Sequence, residues 1–191
     1  RITATEDGVI KGVDVDVLAN HGAYNAAAQP SKFPAGFFKI FTGSYDIDAA
    51  HGKLEAAYTN TAPGGIAYRC SFRVTEAIYL IERMVDVLAD ELDMDPAEVR
   101  RKNFIQKDQF PYTIPTGNQY DSGDYDKVLD ALLEMSKYED LKRWAAEERE
   151  KGRHVGVGIS TTPDRSVFSG KITEDDVEIE EALDSSAFPK I

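Results

Sequence analysis

The sequence predicts an α/β (α+β) chain in which strands come first and several helices follow, and three observations carry that reading. Residues 9 to 18, Val-Ile-Lys-Gly-Val-Asp-Val-Asp-Val-Leu, alternate apolar and polar positions with a β-branched bias after the turn pair Asp7-Gly8, the two-residue period of a half-buried strand. From Val74 to Leu92 apolar residues recur at steps of three and four, at Ala77, Ile81, Met84, Leu88 and Leu92, with Ile78 and Val85 widening the stripe. That is the period of a helix with one face in a core. Further helix starts and stops fill the stretch from Asp95 to Gly152.

Between the first strand and the long helix, Ala23 to Gly43 is rich in Ala, Pro, Gly and Phe, and Pro30 and Pro34 exclude long regular structure there. It reads as an ordered connection with one short helix, and Phe33, Phe37, Phe38 and Phe41 read as core, with the wall of a substrate funnel as the other reading. Lys53 to Asn60 repeats the strand alternation more weakly and delivers the chain to Thr61. Asp95, Pro96 and Glu98 supply a cap, a first-turn proline and an early acid for a short helix through about Arg101. An extended piece at Gln109 to Thr113 and a turn at Gly117 precede a helix capped by Ser122 or Asp124, carrying Val128, Leu129, Leu132, Leu133 and Met135. A charged amphipathic helix over 139 to 151, around Leu141 and Trp144, stops at Gly152. Val155 to Ile159 is expected to return to the sheet.

The chain has 191 residues, 42% of them apolar, enough for one core. Its net charge of −12 repels phosphate backbones, which argues against nucleic-acid binding. Charge interrupts every apolar stretch well short of the ~20 residues a bilayer demands, and no basic-then-apolar leader opens the sequence. A cytoplasmic protein is the expectation. The single cysteine excludes an internal disulfide, and His21, His51 and His154 are too scattered for a familiar zinc cage. Because Arg1 stands just ahead of a strand-like run, the chain is expected to begin inside a domain. From Lys171 to Asp184 seven acids face one lysine, a composition that predicts a solvated, disordered tail.

The stretch with chemical potential is Thr61-Ala62-Pro63-Gly64-Gly65-Ile66-Ala67-Tyr68-Arg69-Cys70-Ser71-Phe72-Arg73, a turn between a strand and the strongest helix. Gly64 and Gly65 admit close approach of a bulky ligand, and amides at a helix start favour an anion. Cys70 lies between Arg69 and Arg73 just ahead of the helix. The two guanidinium groups and the helix dipole favour its thiolate, the soft ligand that selects Cu(I). A lone cysteine is also read as a small buried hydrophobe, the glycine pair as an ordinary turn, and the arginines as surface charge. His21 and His51, each beside a glycine, read as turn or surface residues. Gly156 and Gly158 lack the third glycine of a dinucleotide fingerprint.

On this loop the chain resembles the molybdenum-binding large subunits of the aerobic carbon monoxide dehydrogenases, a branch of the xanthine oxidase family of molybdenum hydroxylases. Ala67 to Arg73 is similar to that branch's signature A-Y-R-C-S-F-R, where other members carry a glycine-containing A-Y-R-G-A-G type loop, so position 70 separates the branches. The resemblance runs from about Gly8 to Gly158. It takes in His21-Gly22, Pro30 to Gly36, Thr42 to Asp46, Arg101-Lys102-Asn103-Phe104-Ile105 and Tyr120 to Tyr125.

The resemblance implies a part of a molybdopterin-binding domain over residues 1–161, followed by a divergent acidic tail over 162–191. It implies that Cys70 binds Cu(I), joined through a sulfide to molybdenum on molybdopterin cytosine dinucleotide. Phe72 then lines a gas-sized pocket, Arg69 stands with Cys70 and Phe72 at the reacting centre, and Gly64, Gly65, Ala67, Tyr68, Arg69, Ser71 and Arg73 shape the loop around the cofactor. Carbon monoxide and water are the implied substrates, carbon dioxide the product. The electrons are implied to pass to iron–sulfur clusters in a small subunit and FAD in a medium subunit, in a complex that is cytoplasmic and peripheral to the inner face of the membrane. The family's large subunit is several times longer. Its upstream glycine-rich cofactor loop with an active-site glutamine, and its downstream glutamate near molybdenum, have no counterpart in these residues. The isolated chain is therefore expected neither to hold the molybdenum cofactor nor to turn over. The competing expectations are a related hydroxylase of aldehydes or N-heterocycles, with Cys70 incidental, and a non-catalytic assembly module or decaying gene piece.

Overall fold

The computed structural model describes residues 1–23, 37–62 and 74–163. Its sheet has the order β1-β2-β3, with β1 (Ile2–Ala4) antiparallel to β2 (Ile10–Gly22) and β2 parallel to β3 (Ala49–Tyr58). The helices are α1 (Val74–Glu91), α2 (Pro96–Asn103), α3 (Tyr125–Ser136) and α4 (Tyr138–Glu150), and a small hairpin of β4 (Tyr112–Thr113) and β5 (Gln119–Tyr120) precedes α3. The strands-then-helices α/β reading is what the fold shows.

The alternation that predicts β2 works as the pleat requires. Val13, Val15 and Ala19 are buried while Asp14, Asp16 and Leu18 point away from the core. The strand runs on to Gly22, past the predicted end at Leu18, because pairing with β3 continues to Gly22 opposite Tyr58. β1, absent from the sequence reading, has three residues, too few to display a period. It reaches β2 through a turn in which Gly8 takes φ +87° and its N–H donates to the Thr5 carbonyl at 2.9 Å.

A parallel pair demands a long crossover, here residues 23–48. Within it Phe37, Ile40, Phe41, Tyr45 and Ile47 are buried, and the Phe37 and Phe41 rings stack 6.1 Å apart with Phe38 edge-on to both. For those three phenylalanines the core reading holds; Phe33 and the short helix expected in this connection lie outside the described residues.

Helix α1 buries Ala77, Ile78, Ile81, Val85 and Ala89. Asp95 caps α2 by accepting from the Ala97 N–H at 2.7 Å, with Pro96 in the first turn and Arg100, Arg101 and Lys102 in the last. Buried Asn103 ties α2 to the sheet: its Oδ1 accepts from the Ile10 N–H at 2.7 Å and its Nδ2 donates to the Gly8 carbonyl at 2.8 Å. Phe104 then stacks on Tyr45 with ring centroids 5.7 Å apart. Of the two candidate caps for α3, Asp124 does the work, accepting from the Lys127 N–H at 3.2 Å. Lys137, at φ 50°, ends α3 and starts α4, and Gly152 at φ +79° closes α4 as predicted.

One expectation is corrected. Val155 to Ile159 does not rejoin the sheet; it runs alone across the helices and belongs to no strand pair among the described residues.

Candidate functional site

Strands β2 and β3 run the same way, so their carboxyl ends lie side by side, and this is the end from which the loop to α1 departs. In open sheets with parallel strands, ligands bind outside the carboxyl ends. Backbone pairing continues past β3: the Thr59 N–H donates to the Gly22 carbonyl at 2.8 Å and the Ala23 N–H to the Thr61 carbonyl at 3.0 Å. A polar cluster stitches the same place. Asn20 Oδ1 accepts from the Gly22 N–H at 2.9 Å and from Thr59 Oγ1 at 2.7 Å, and the Thr59 and Thr61 hydroxyls lie 2.9 Å apart.

Every residue singled out for chemistry lies in the loop itself. Gly64, Gly65, Ala67, Tyr68, Arg69, Cys70, Ser71, Phe72 and Arg73 are outside the described residues, as is the tail from 164 onward. The described framework holds the two ends of that loop, at Ala62 and at the first turn of α1. His21, expected in a turn or on the surface, is instead half-buried in the last turn-ward residues of β2, edge-on to Tyr58 at 6.1 Å. Its Nε2 is buried and hydrogen-bonds to no described residue. His51 is a surface residue, as expected, although it sits within β3, where its Nδ1 lies 2.8 Å from Asp14 Oδ1.

Two turns into α1 lies a buried ionic cluster that the sequence reading missed. The Glu82 carboxylate, on α1, accepts from Tyr45 Oη at 2.6 Å, Arg100 Nε at 3.0 Å, the Thr161 N–H at 2.9 Å and Thr161 Oγ1 at 3.0 Å. Four donors match the four lone-pair positions a carboxylate offers. Arg100 also pairs with Asp86 at 2.9 Å and donates to the Ile159 carbonyl at 2.7 Å and the Pro96 carbonyl at 3.1 Å. Burial, with the Glu82 charge beside it, holds the Tyr45 phenol well above its ordinary range. For Arg100, burial opposes the charge, but Tyr45, Glu82 and Asp86 outweigh it and keep the guanidinium ionised. The signal was present: Glu82 interrupts the apolar row Ile78, Val85, Ala89 of α1 at helical spacing, and an acid on a core-facing stripe calls for a cation.

Among the described residues no group of three or more His, Cys, Asp or Glu is set to hold a metal ion, and no helix is long and apolar enough to cross a membrane. What is described suits a large anionic cofactor in two respects: the parallel strand ends and the start of α1 flank the loop, and the buried Nε2 of His21 has no hydrogen-bond partner among the described residues.

The model of the molybdopterin cofactor-binding domain family matches residues 1–104. The chain belongs to that family. Within the molybdopterin cofactor-binding proteins it is similar to the carbon monoxide dehydrogenase large chain of Hydrogenophaga pseudoflava, at 59% identity over 167 residues. It is also similar to the carbon monoxide dehydrogenase large chain of Afipia carboxidovorans, at 49% over 166 residues. Each match covers 84% of this chain and 20% of the relative, so the chain spans about a fifth of their length. Among solved structures, a Cu,Mo-CO dehydrogenase in its carbon monoxide reduced state superposes with a TM-score of 0.72 at 49% identity, over 79% of this chain and 19% of that one. The family resemblance drawn from the loop and its neighbouring motifs is therefore established.

Proposed function

We propose that this chain is the part of a carbon monoxide dehydrogenase large chain that presents Cys70 to copper, in an enzyme that oxidises carbon monoxide with water to carbon dioxide, two protons and two electrons. The observation that carries the reading is the 59% identity to the Hydrogenophaga pseudoflava large chain, combined with a cysteine at the centre of Ala67-Tyr68-Arg69-Cys70-Ser71-Phe72-Arg73. When bound, molybdopterin cytosine dinucleotide and Cu(I) supply the two-electron redox chemistry and a soft binding site for carbon monoxide.

The chain's own residues hold and screen that centre. Cys70 supplies the thiolate, kept ionised by Arg69, Arg73 and the start of α1. Phe72 walls the site and limits it to a small gas. Gly64 and Gly65 let the backbone approach the cofactor, and Ala67, Tyr68 and Ser71 complete the loop around it. The parallel ends of β2 and β3, stitched by Asn20, Thr59 and Thr61, fix where the loop begins, and α1, locked through Glu82, fixes where it ends. The electrons leave through iron–sulfur clusters of a small subunit and FAD of a medium subunit, in a cytoplasmic complex peripheral to the inner face of the membrane. The 191 residues alone supply one loop of the cofactor cage, and the isolated chain is inactive and free of molybdenum.

The test is Cys70→Ser in a full-length homologue, assayed for carbon monoxide oxidation and for copper and molybdenum content. Loss of copper and of activity with molybdenum retained is expected. Oxidation that survives the substitution sinks the copper role, and stoichiometric molybdenum on the purified 191-residue chain sinks the claim that one loop is insufficient.

A further inference from the structure

Three of the stretches that carry the family resemblance lie well away from the Cys70 loop in sequence, at Thr42 to Asp46, Arg101 to Ile105 and Tyr120 to Tyr125. The fold brings them to one turn. The Asp46 N–H donates to the Asn103 carbonyl at 2.8 Å and the Ile105 N–H to the Ser44 carbonyl at 3.0 Å, so Tyr45 and Phe104 bridge the crossover to the end of α2. Tyr120 Oη donates to the Gly43 carbonyl at 3.1 Å, and the Tyr125 ring lies 5.7 Å from that of Phe104. Backbone bonds on one side and a phenol on the other thus fix the turn at Gly43 to Tyr45.

That turn is seated on α1. Gly43 takes φ +63°, and a Cβ there would stand 3.1 Å from Cγ2 of Ile81 and 3.3 Å from the Tyr45 ring. Glycine lets the backbone come this near the helix. Two residues on, the buried Tyr45 donates its hydroxyl hydrogen to Glu82 at 2.6 Å, the short length of a charge-assisted bond. The contact at Ile81 and the bond at Glu82 fall on adjacent residues of α1. One sets how close the helix stands to the turn, the other its rotation and height. From Glu82 back to Val74 is about 12 Å of helix at 1.5 Å per residue, and Val74 directly follows Arg73 of the Cys70 heptapeptide.

We propose that the Gly43–Tyr45 turn positions the Cys70 thiolate, acting through α1, with Tyr45 as the positioning residue. The proposal rests on the reading of Cys70 as the copper ligand.

The test uses a full-length carbon monoxide dehydrogenase that carries these residues, assembled with its partner subunits, as wild type, Tyr45→Phe, Tyr120→Phe and Gly52→Ala. Gly52 lies on β3, where a Cβ would strike the Phe38 ring, so its replacement lowers stability without touching Gly43, Tyr45 or Glu82. Molybdenum content, Tm, kcat and the rate at which a Cu(I) chelator strips copper are read on each. Tyr45→Phe is expected to keep its molybdenum, to lose kcat by on the order of ten- to a hundredfold, and to release copper faster by on the order of tenfold. Tyr120→Phe, which loosens the turn from its other side, shifts both values the same way by less. Gly52→Ala lowers Tm and leaves both at wild-type values.

A Tyr45→Phe enzyme that melts lower but keeps wild-type kcat and copper release overturns the proposal and leaves the turn a prop for the fold. So does loss of molybdenum along with copper, or a Gly52→Ala enzyme that sheds copper as fast as Tyr45→Phe, since either makes the effect one of general stability. Should Tyr45→Phe yield no folded enzyme, unchanged values for Tyr120→Phe overturn it. A wild-type enzyme without copper removes the copper reading and the proposal with it, whereas copper-loaded wild type with unaltered variants removes the proposal alone.

Discussion

Replacing Arg100 by methionine tests whether the buried ionic cluster is the lock of this fold. The side chain is 0% exposed and its partner Glu82 6% exposed, so neither charge is screened by water. Methionine keeps most of the aliphatic volume but removes the Nε and Nη2 contacts to Glu82 at 3.0 and 2.9 Å and the donors to the Ile159 and Pro96 carbonyls. Glu82 keeps Tyr45 and both Thr161 donors but loses its cation, and Asp86, whose paired Oδ1 is buried, loses it as well. Orphaning one member of a buried pair costs about 3–5 kcal/mol. For a chain of this length that corresponds to a fall in Tm of roughly 6–20 °C. Denaturant unfolding of wild type, Arg100→Met, Glu82→Gln and the double variant gives the coupling. The two single costs should exceed the double cost by about 2 kcal/mol, because the second substitution removes the charge the first one stranded. An Arg100→Met cost below about 1 kcal/mol, or additivity within about 0.5 kcal/mol, would show that the cluster is decoration and not a lock.

Asp95 gives a pH-dependent counterpart. Partial burial pushes its carboxyl up, but hydrogen bonds from Lys142 and the Ala97 N–H outweigh this and hold it below the usual 3.8. A carboxylate depressed in the folded state contributes stability above its unfolded pKa and loses it as pH falls through the folded value. Asp95→Ala should therefore cost about 1–2 kcal/mol at pH 7, and the gap to wild type in denaturant titrations should close once the pH drops well below 3.8. Gly52→Ala should destabilise by about 1–3 kcal/mol, since a Cβ there would penetrate the Phe38 ring; Gly156→Ala, with open space around it, serves as the neutral control in the same melts.

Legibility from sequence followed the size of the periodic signal. The β2 alternation and the α1 stripe each extend over many residues, and both elements stand within a few residues of their predicted ends. Gly117 and Gly152 were readable because each takes a positive φ, at +87° and +79°, that other residues resist. β1 failed for want of length. Val155 to Ile159 failed for another reason: alternation predicts an extended segment with one face inward, and that much is present, but it does not say what the backbone edges bond to. Here side chains of Arg149, Arg100 and Glu82 take the place of a neighbouring strand. The site divides in the same way. The chemistry proposed for it rests on one heptapeptide around Cys70, which lies outside the described residues. Its support was not, because Glu82, Arg100, Tyr45 and Thr161 are far apart in the chain and meet only in the fold.

That separation bears on why charge sits where hydrocarbon would serve. Apolar replacement of a buried ion pair is often neutral or stabilising, so stability alone does not require Arg100 and Glu82. Directional bonds specify position instead. Glu82 stands two turns inside α1, the helix that begins where the Cys70 loop ends, and its four donors come from the turn at Tyr45, from α2 and from the segment ending at Thr161. An apolar contact would let α1 slide or rotate by fractions of an ångström against those elements at little cost; a carboxylate with all its lone pairs engaged does not. The loop proposed to set the Cys70 sulfur against a metal centre needs that kind of foundation, since misplacement by about 1 Å from a distant change can cost on the order of a hundredfold in rate. The same carboxylate also holds Thr161, so helix α1 and the segment that ends there share one point of reference.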